Sequence, residues 1–220
     1  MLTTVFVRSS QGVLALFLLL SLCAACMTPG PRNHAADIAR GYTSDMVVSA
    51  GGATTTSRIM VQGGRMRMET LTGRRSSVLL VDYDQHKTWV LIPVDGKYKE
   101  VPFEALGDQI PHFFMPGLLM EKKTISEEVI DGVPAVRYHS TIICDDGQRY
   151  SGSLWESRDL PGFPLKWIDD SSNAVVTWRN VRAAGLLSSL FEIPPGYTEL
   201  AGQLRMEAGR GKRFCRGVIP

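Results

Sequence analysis

From Tyr42 to Arg182 the chain is written largely in period two, as short runs in which apolar and polar residues alternate, separated by glycine, aspartate, asparagine and proline. The clearest unit is Arg58-Ile59-Met60-Val61-Gln62, then Gly63-Gly64, then Arg65-Met66-Arg67-Met68-Glu69. Two strands joined by a two-residue glycine turn form a hairpin whose register the turn sets. Gln62 then faces Arg65, Val61 faces Met66, Met60 faces Arg67, Ile59 faces Met68 and Arg58 faces Glu69. Ile59, Val61, Met66 and Met68 share one face, while the three arginines and Glu69 share the other, as in an antiparallel sheet with one covered face.

Comparable runs are Tyr42 to Ser49, Ser77 to Tyr83, Thr88 to Pro93 and Lys97 to Val101, then Lys123 to Ile130, Ala135 to Cys144, Arg149 to Glu156, Pro164 to Asp169 and Val175 to Arg182. Roughly ten or eleven strands at this spacing predict a mainly β domain with a few short helices, built as a sandwich or a barrel-like curved sheet. The segment Pro102 to Met120 breaks the pattern. Phe103, Leu106, Ile110, Phe113, Phe114, Leu118 and Leu119 have partly helical spacing, but Gly107, Pro111 and Pro116-Gly117 interrupt it, which predicts short helical turns and loops. Phe113, Phe114, Met115, Leu118 and Leu119 are too apolar for water. They either plug the open end of the sheet or form an exposed lip facing a membrane or greasy partner.

Before the β region, Arg8 precedes the ten-residue apolar run Val13 to Leu22 and then Cys23-Ala24-Ala25-Cys26. The run is about half the length needed to cross a ~30 Å hydrocarbon core, so residues 1–25 read as an export signal. The mature protein is then expected outside the cytoplasm, in the periplasm. Ala24-Ala25 before Cys26 resembles the lipobox of bacterial lipoproteins, which implies acylation of Cys26 and a tether to the outer membrane. Cleavage after Ala25 to a soluble product is the alternative, since the lipobox leucine is replaced by Cys23. The remaining expected parts are a linker over residues 26–40, one β domain over 41–202 and a basic tail over 203–220. The tail carries five basic residues against Glu207, whereas residues 26–202 carry 18 basic and 21 acidic ones. Such a tail is either a solvated terminus or a segment that lies on anionic headgroups.

Candidate chemistry is sparse. His34, His86, His112 and His139 are scattered, with no metalloprotease helix, no nucleophile elbow and no phosphate-cradling glycine loop. Asp82 and Asp84 read as turn formers, and Asp145-Asp146-Gly147 as a hairpin turn that lacks the ligand spacing of a calcium loop. No metal site, no cofactor and no catalytic residue is expected, and the acidic body speaks against nucleic acid. Outside the export segment the cysteines are Cys144 and Cys215. In an oxidising compartment they can pair, although Cys144 equally suits a buried apolar position.

The strand Arg65 to Glu69, the apolar strand ending Val81-Asp82, and Trp89 and Tyr98 resemble the pattern of the periplasmic lipoprotein-localisation factors (LolA/LolB-like). Ile130 to Ala135, Trp155 and Phe191 to Tyr197 resemble a related group of uncharacterised secreted bacterial proteins of the DUF4412 type. The resemblance implies a half-open antiparallel β-barrel whose apolar concave face, closed by a helical or loop lid, holds acyl chains. The implied cavity is lined by Ile59, Val61, Met66, Met68, Leu79, Val81, Trp89 and Leu91. The localisation factors latch the lid with an arginine, and the corresponding place here is near Gln62. The implied partners are a lipid or acylated protein and, through Cys26, a membrane surface. Methionine makes up half of the row Ile59, Val61, Met66 and Met68, which suits a changing guest as well as a solid core. A non-catalytic envelope protein binding a lipid or lipidated ligand is therefore the leading expectation. A sensing or scaffolding module with a filled interior is the alternative.

Overall fold

The computed structural model of the chain describes residues 32–33, 41–72, 75–103, 112–114, 118–144, 147–160 and 162–202. The chain separates into two units, Met1–Gly30 and Pro31–Pro220, and every described residue belongs to the second. The export segment, Cys26 and the basic tail expected from the sequence lie outside the described residues, as do Met115 and Cys215.

Thirteen strands form one sheet: β1 (Arg32–Asn33), β2 (Tyr42–Ala50), β3 (Ala53–Gln62), β4 (Arg65–Thr72), β5 (Arg75–Asp82), β6 (Lys87–Ile92), β7 (Lys97–Val101), β8 (Leu119–Ile130), β9 (Val133–Ile143), β10 (Arg149–Ser157), β11 (Pro164–Asp169), β12 (Val175–Ala183) and β13 (Thr198–Glu199). Their order is β1-β8-β9-β10-β11-β12-β2-β3-β4-β5-β6-β7-β13. All pairings are antiparallel except β13 on β7. The sheet is curved and open, a half-open barrel, with helix limited to three short 3₁₀ turns among the described residues.

Strands β2 to β12 correspond to the runs named from the alternation, within the roughly ten or eleven strands expected, and β7 and β11 match their runs end for end. The β3–β4 hairpin has the register derived from its glycine turn, from Gln62 opposite Arg65 to Arg58 opposite Glu69. Gly63 and Gly64 both have positive φ, 54° and 72°, as a primed hairpin turn requires. The two added strands, β1 and β13, are two residues each and flank the outermost long strands, β8 and β7, so their pairing leaves no periodic signal in sequence. Irregular register between Thr124 and Ser126, Trp155 and Glu156, and Arg179 and Arg182 bends β8, β10 and β12.

The concave face carries the main core. Tyr42, Met46, Ile59, Val61, Met66, Leu79, Val81, Met120, Ile142, Leu154, Trp167 and Trp178 are buried there from strands on both halves of the sheet. Two smaller clusters lie on the convex face. Val78, Leu80 and Leu91 are covered by Ile193 and Tyr197 of the segment that follows β12. Ala135, Trp155 and Leu165 pack with Ile130 and Val133 at the tip of the β8–β9 hairpin. Leu165 and Trp167 are two positions apart yet belong to different clusters, because β11 opposes the irregular stretch of β10.

Candidate hydrophobic ligand site

Side chains directly opposite across an antiparallel pair share a face, so the ladder assigns each expected lining residue. Ile59 faces Met68, Val61 faces Met66, Met66 faces Val81 and Met68 faces Leu79. These six residues meet in the concave cluster, with Met68 at its margin. Trp89 and Leu91 do not join them. Leu79 pairs with Val90 and Val81 with Thr88, which places Val90 and Thr88 on the concave side. Trp89 and Leu91 pair with Leu80 and Val78 and lie on the convex face. The phase of β6 was ambiguous because β5 reads Val78-Leu79-Leu80-Val81, apolar on both faces.

The other half of the wall comes from residues that the sequence reading did not single out. Leu154 faces Trp167, Trp167 faces Val176 and Trp178 faces Met46, all on the concave side. The run Val175-Val176-Thr177-Trp178 is too apolar to show its phase in the sequence. Gly152 makes the wall possible. A Cβ there would stand 2.6 Å from the Trp167 ring and 2.3 Å from the Ile168 carbonyl oxygen.

The segment between β7 and β8 supplies the cover. Phe113 sits in a 3₁₀ turn, His112–Phe114, with its ring 5.2 Å from Trp167 and 5.5 Å from Trp178. Phe114 lies 5.6 Å from Phe163 and 6.1 Å from Trp178. Phe113, Phe114 and Leu118 are buried against the concave cluster rather than presented to solvent. Leu119 is not part of this cover: it opens β8, opposite Ile143, and Met120 beside it enters the concave core. Gln62, at the place of the expected latch, accepts a hydrogen bond from the Leu186 N–H at 3.0 Å and so holds the segment after β12 instead.

Polar groups interrupt this apolar interior at defined points. Lys122 Nζ reaches Glu156 Oε1 at 2.5 Å and passes 5.5 Å over the Tyr138 ring, forming a charged margin on the β8–β10 side. Burial, then the Glu156 carboxylate, raise the Tyr138 phenol above its ordinary range. Burial pushes the Tyr83 phenol far above its ordinary range, and its hydroxyl points to Met66 Sδ at 3.7 Å. Among the described residues, three buried polar atoms on this face have no hydrogen-bond partner: Thr88 Oγ1, Ser140 Oγ and Trp178 Nε1. Ser140 is assigned to the face by its pairing with Lys122, two residues from Met120 opposite Ile142.

Asp82 accepts from the Gln85 N–H at 2.8 Å in the turn after β5. The Gly147 N–H donates to the Cys144 carbonyl at 2.9 Å, closing the turn before β10. Among the described residues no three His, Cys, Asp or Glu side chains converge so as to hold a metal ion. No described helix is long and apolar enough to cross a membrane. Cys144 is buried and disulfide-bonded.

No protein-family model and no curated protein matches this chain. Solved structures do match it in fold. An uncharacterised conserved protein from Thermus thermophilus superposes with a TM-score of 0.50 at 10% identity, over 74% of this chain and 91% of that one. MucB superposes at 0.44 with 18% identity, over 72% of this chain and 60% of that one. A LolA superfamily protein from Nitrosomonas europaea superposes at 0.39 with 12% identity, over 71% and 94%. At such identities the likeness is one of fold.

Proposed function

We propose that this chain is a cell-envelope protein that binds a lipid or an acylated protein, without catalysis, by seating an acyl chain on the concave face of the half-barrel. The observation that carries this reading is how the face is covered. Its apolar wall runs across both halves of the sheet, and the rings that close it, Phe113 and Phe114, come from one connection between β7 and β8. A cover made from a single connection can be exchanged for a guest without dismantling a strand pairing. Shielding about a dozen methylenes from water contributes on the order of 10 kcal/mol at ~0.8 kcal/mol per CH₂, enough to offset withdrawal of two rings at about 1.5–3 kcal/mol each.

Export by residues 1–25, anchoring to the outer membrane through acylated Cys26, placement in the secreted DUF4412-type branch and a Cys144–Cys215 disulfide belong to the same proposal. The export-like run before Cys26 and the disulfide at Cys144 support it.

A second reading, a sensing or scaffolding module with a permanently filled interior, is favoured by one observation. Phe114, Phe163, Leu118 and Met120 already fill the space against the sheet. Native mass spectrometry of the full chain, isolated from a bacterial envelope in mild detergent and followed by lipid extraction, separates the two. Near-stoichiometric bound lipid supports the carrier, and a clean ligand-free mass supports the module.

A further inference from the structure

We infer that Trp178 is the residue that selects the ligand's linkage: its indole N–H donates to the carbonyl oxygen of an acyl ester or amide, so the site prefers acylated molecules to bare hydrocarbon chains. The inference rests on the acyl-binding reading and adds a specificity to it.

Native proteins pair nearly all of their buried polar groups, so a donor left orphaned among the described residues calls for an outside partner. Trp178 is 3% exposed, and its Nε1 has no acceptor among the described residues. The surroundings are Phe113 and Phe114, standing at 82° and 88° to the indole, with Met46 opposite on β2. Phenylalanine rings offer an N–H no more than a weak contact with their π face. The same two rings pack against the indole, so a guest that displaces them takes their place beside it. An alkyl chain would leave the N–H as it is. An ester or amide carbonyl satisfies it, and the gain is realised only in the complex. Ser140 Oγ and Thr88 Oγ1, also buried and unpartnered on this face, are further places for a guest's polar atoms. A structural role for the indole nitrogen predicts the reverse, since a donor that stabilised the free protein would have an acceptor within it.

The test compares two probes that differ in one group, 1-monopalmitoylglycerol and its hexadecyl ether analogue without the carbonyl, titrated calorimetrically into the full chain and into Trp178→Phe. The wild type is expected to bind the ester about fivefold more tightly than the ether, the effect of one net hydrogen bond. Trp178→Phe should bring the ester-to-ether affinity ratio to about one, whatever it does to the ether alone, and leave the melting temperature of the free protein equal or higher. Equal affinity of the two probes for the wild type, or an equal loss of both in Trp178→Phe, overturns the role of Trp178 while leaving acyl binding in place. Failure of both probes to bind the wild type overturns acyl binding and the inference with it. Should the variant not fold, the ester-to-ether ratio of the wild type decides alone.

Discussion

Single side chains set the shape of the concave wall. Gly152 lies under Trp167, and its neighbours on two sides are a backbone carbonyl and an aromatic ring, neither of which can yield easily. Gly152→Ala is expected to cost about 2–3 kcal/mol through overpacking, read as a lower midpoint in urea with an unchanged slope. A loss under about 0.5 kcal/mol, the size of an ordinary surface substitution, would mean that the wall is loose. Tyr83 makes a pH-dependent contribution. Its phenol titrates near 10 in the unfolded chain and well above that when folded, so between those values the unfolded state releases a proton that the folded state keeps. Stability is therefore complete below pH 10 and falls above it, by up to about 1.4 kcal/mol per pH unit from this group. Tyr83→Phe should flatten that alkaline slope in urea titrations between about pH 9 and 11, and an unaltered slope would refute it. Residue identity was least informative where both faces are apolar. Trp89 and Leu91 were legible as strand residues, but only the pairing of Leu79 with Val90 shows which side they take.

Elements were legible where a turn forces the register. Gly63-Gly64 leaves few ways to join the flanking strands, and the observed ladder is the one that turn implies. A Cβ at Gly63 would meet nothing within 4 Å. Asparagine tolerates its left-handed conformation, so Gly63→Asn should stabilise the protein by about 0.4–1 kcal/mol by restricting the unfolded chain. Thermal unfolding checks this, and a lower melting temperature would contradict the primed turn. The segment after β12 was much less legible, because its partners are distant in sequence. The Leu190 carbonyl accepts from Arg67 Nη1 at 3.1 Å, Phe191 lies under the Arg65 guanidinium at 5.1 Å, and Ile193 and Tyr197 cover the convex cluster before β13 pairs with β7. Arg65 and Arg67 read as a solvated face in the hairpin. They are the surface on which this segment is laid, and Phe191-Glu192-Ile193-Pro194-Pro195 has no periodicity to announce it.

At the scale of the molecule, the alternation predicted roughly ten or eleven strands in a sandwich or a barrel-like curved sheet but not their order, since the two halves are joined by β2 and β12. Asn180 Nδ2 and Asp45 Oδ2, 135 positions apart in the chain, are 2.7 Å apart across that seam. Neighbouring strands within β2–β7 and within β8–β12 pair with their successors, so each half can zip up locally. The seam alone among the long-strand pairings must wait for most of the chain, and closing so large a loop is an entropic cost met before its contacts form. Assembly is thus expected to end with two preformed meanders meeting along β2 and β12. Met46→Ala, which removes a buried side chain opposite Trp178, should therefore act mainly by speeding unfolding in stopped-flow fluorescence, and a change confined to the refolding rate would exclude that order. During synthesis β2 emerges early and keeps one edge unsatisfied until β12 follows. The seam that completes the half-barrel is therefore also the interval in which the nascent chain is most exposed to pairing with the wrong strand.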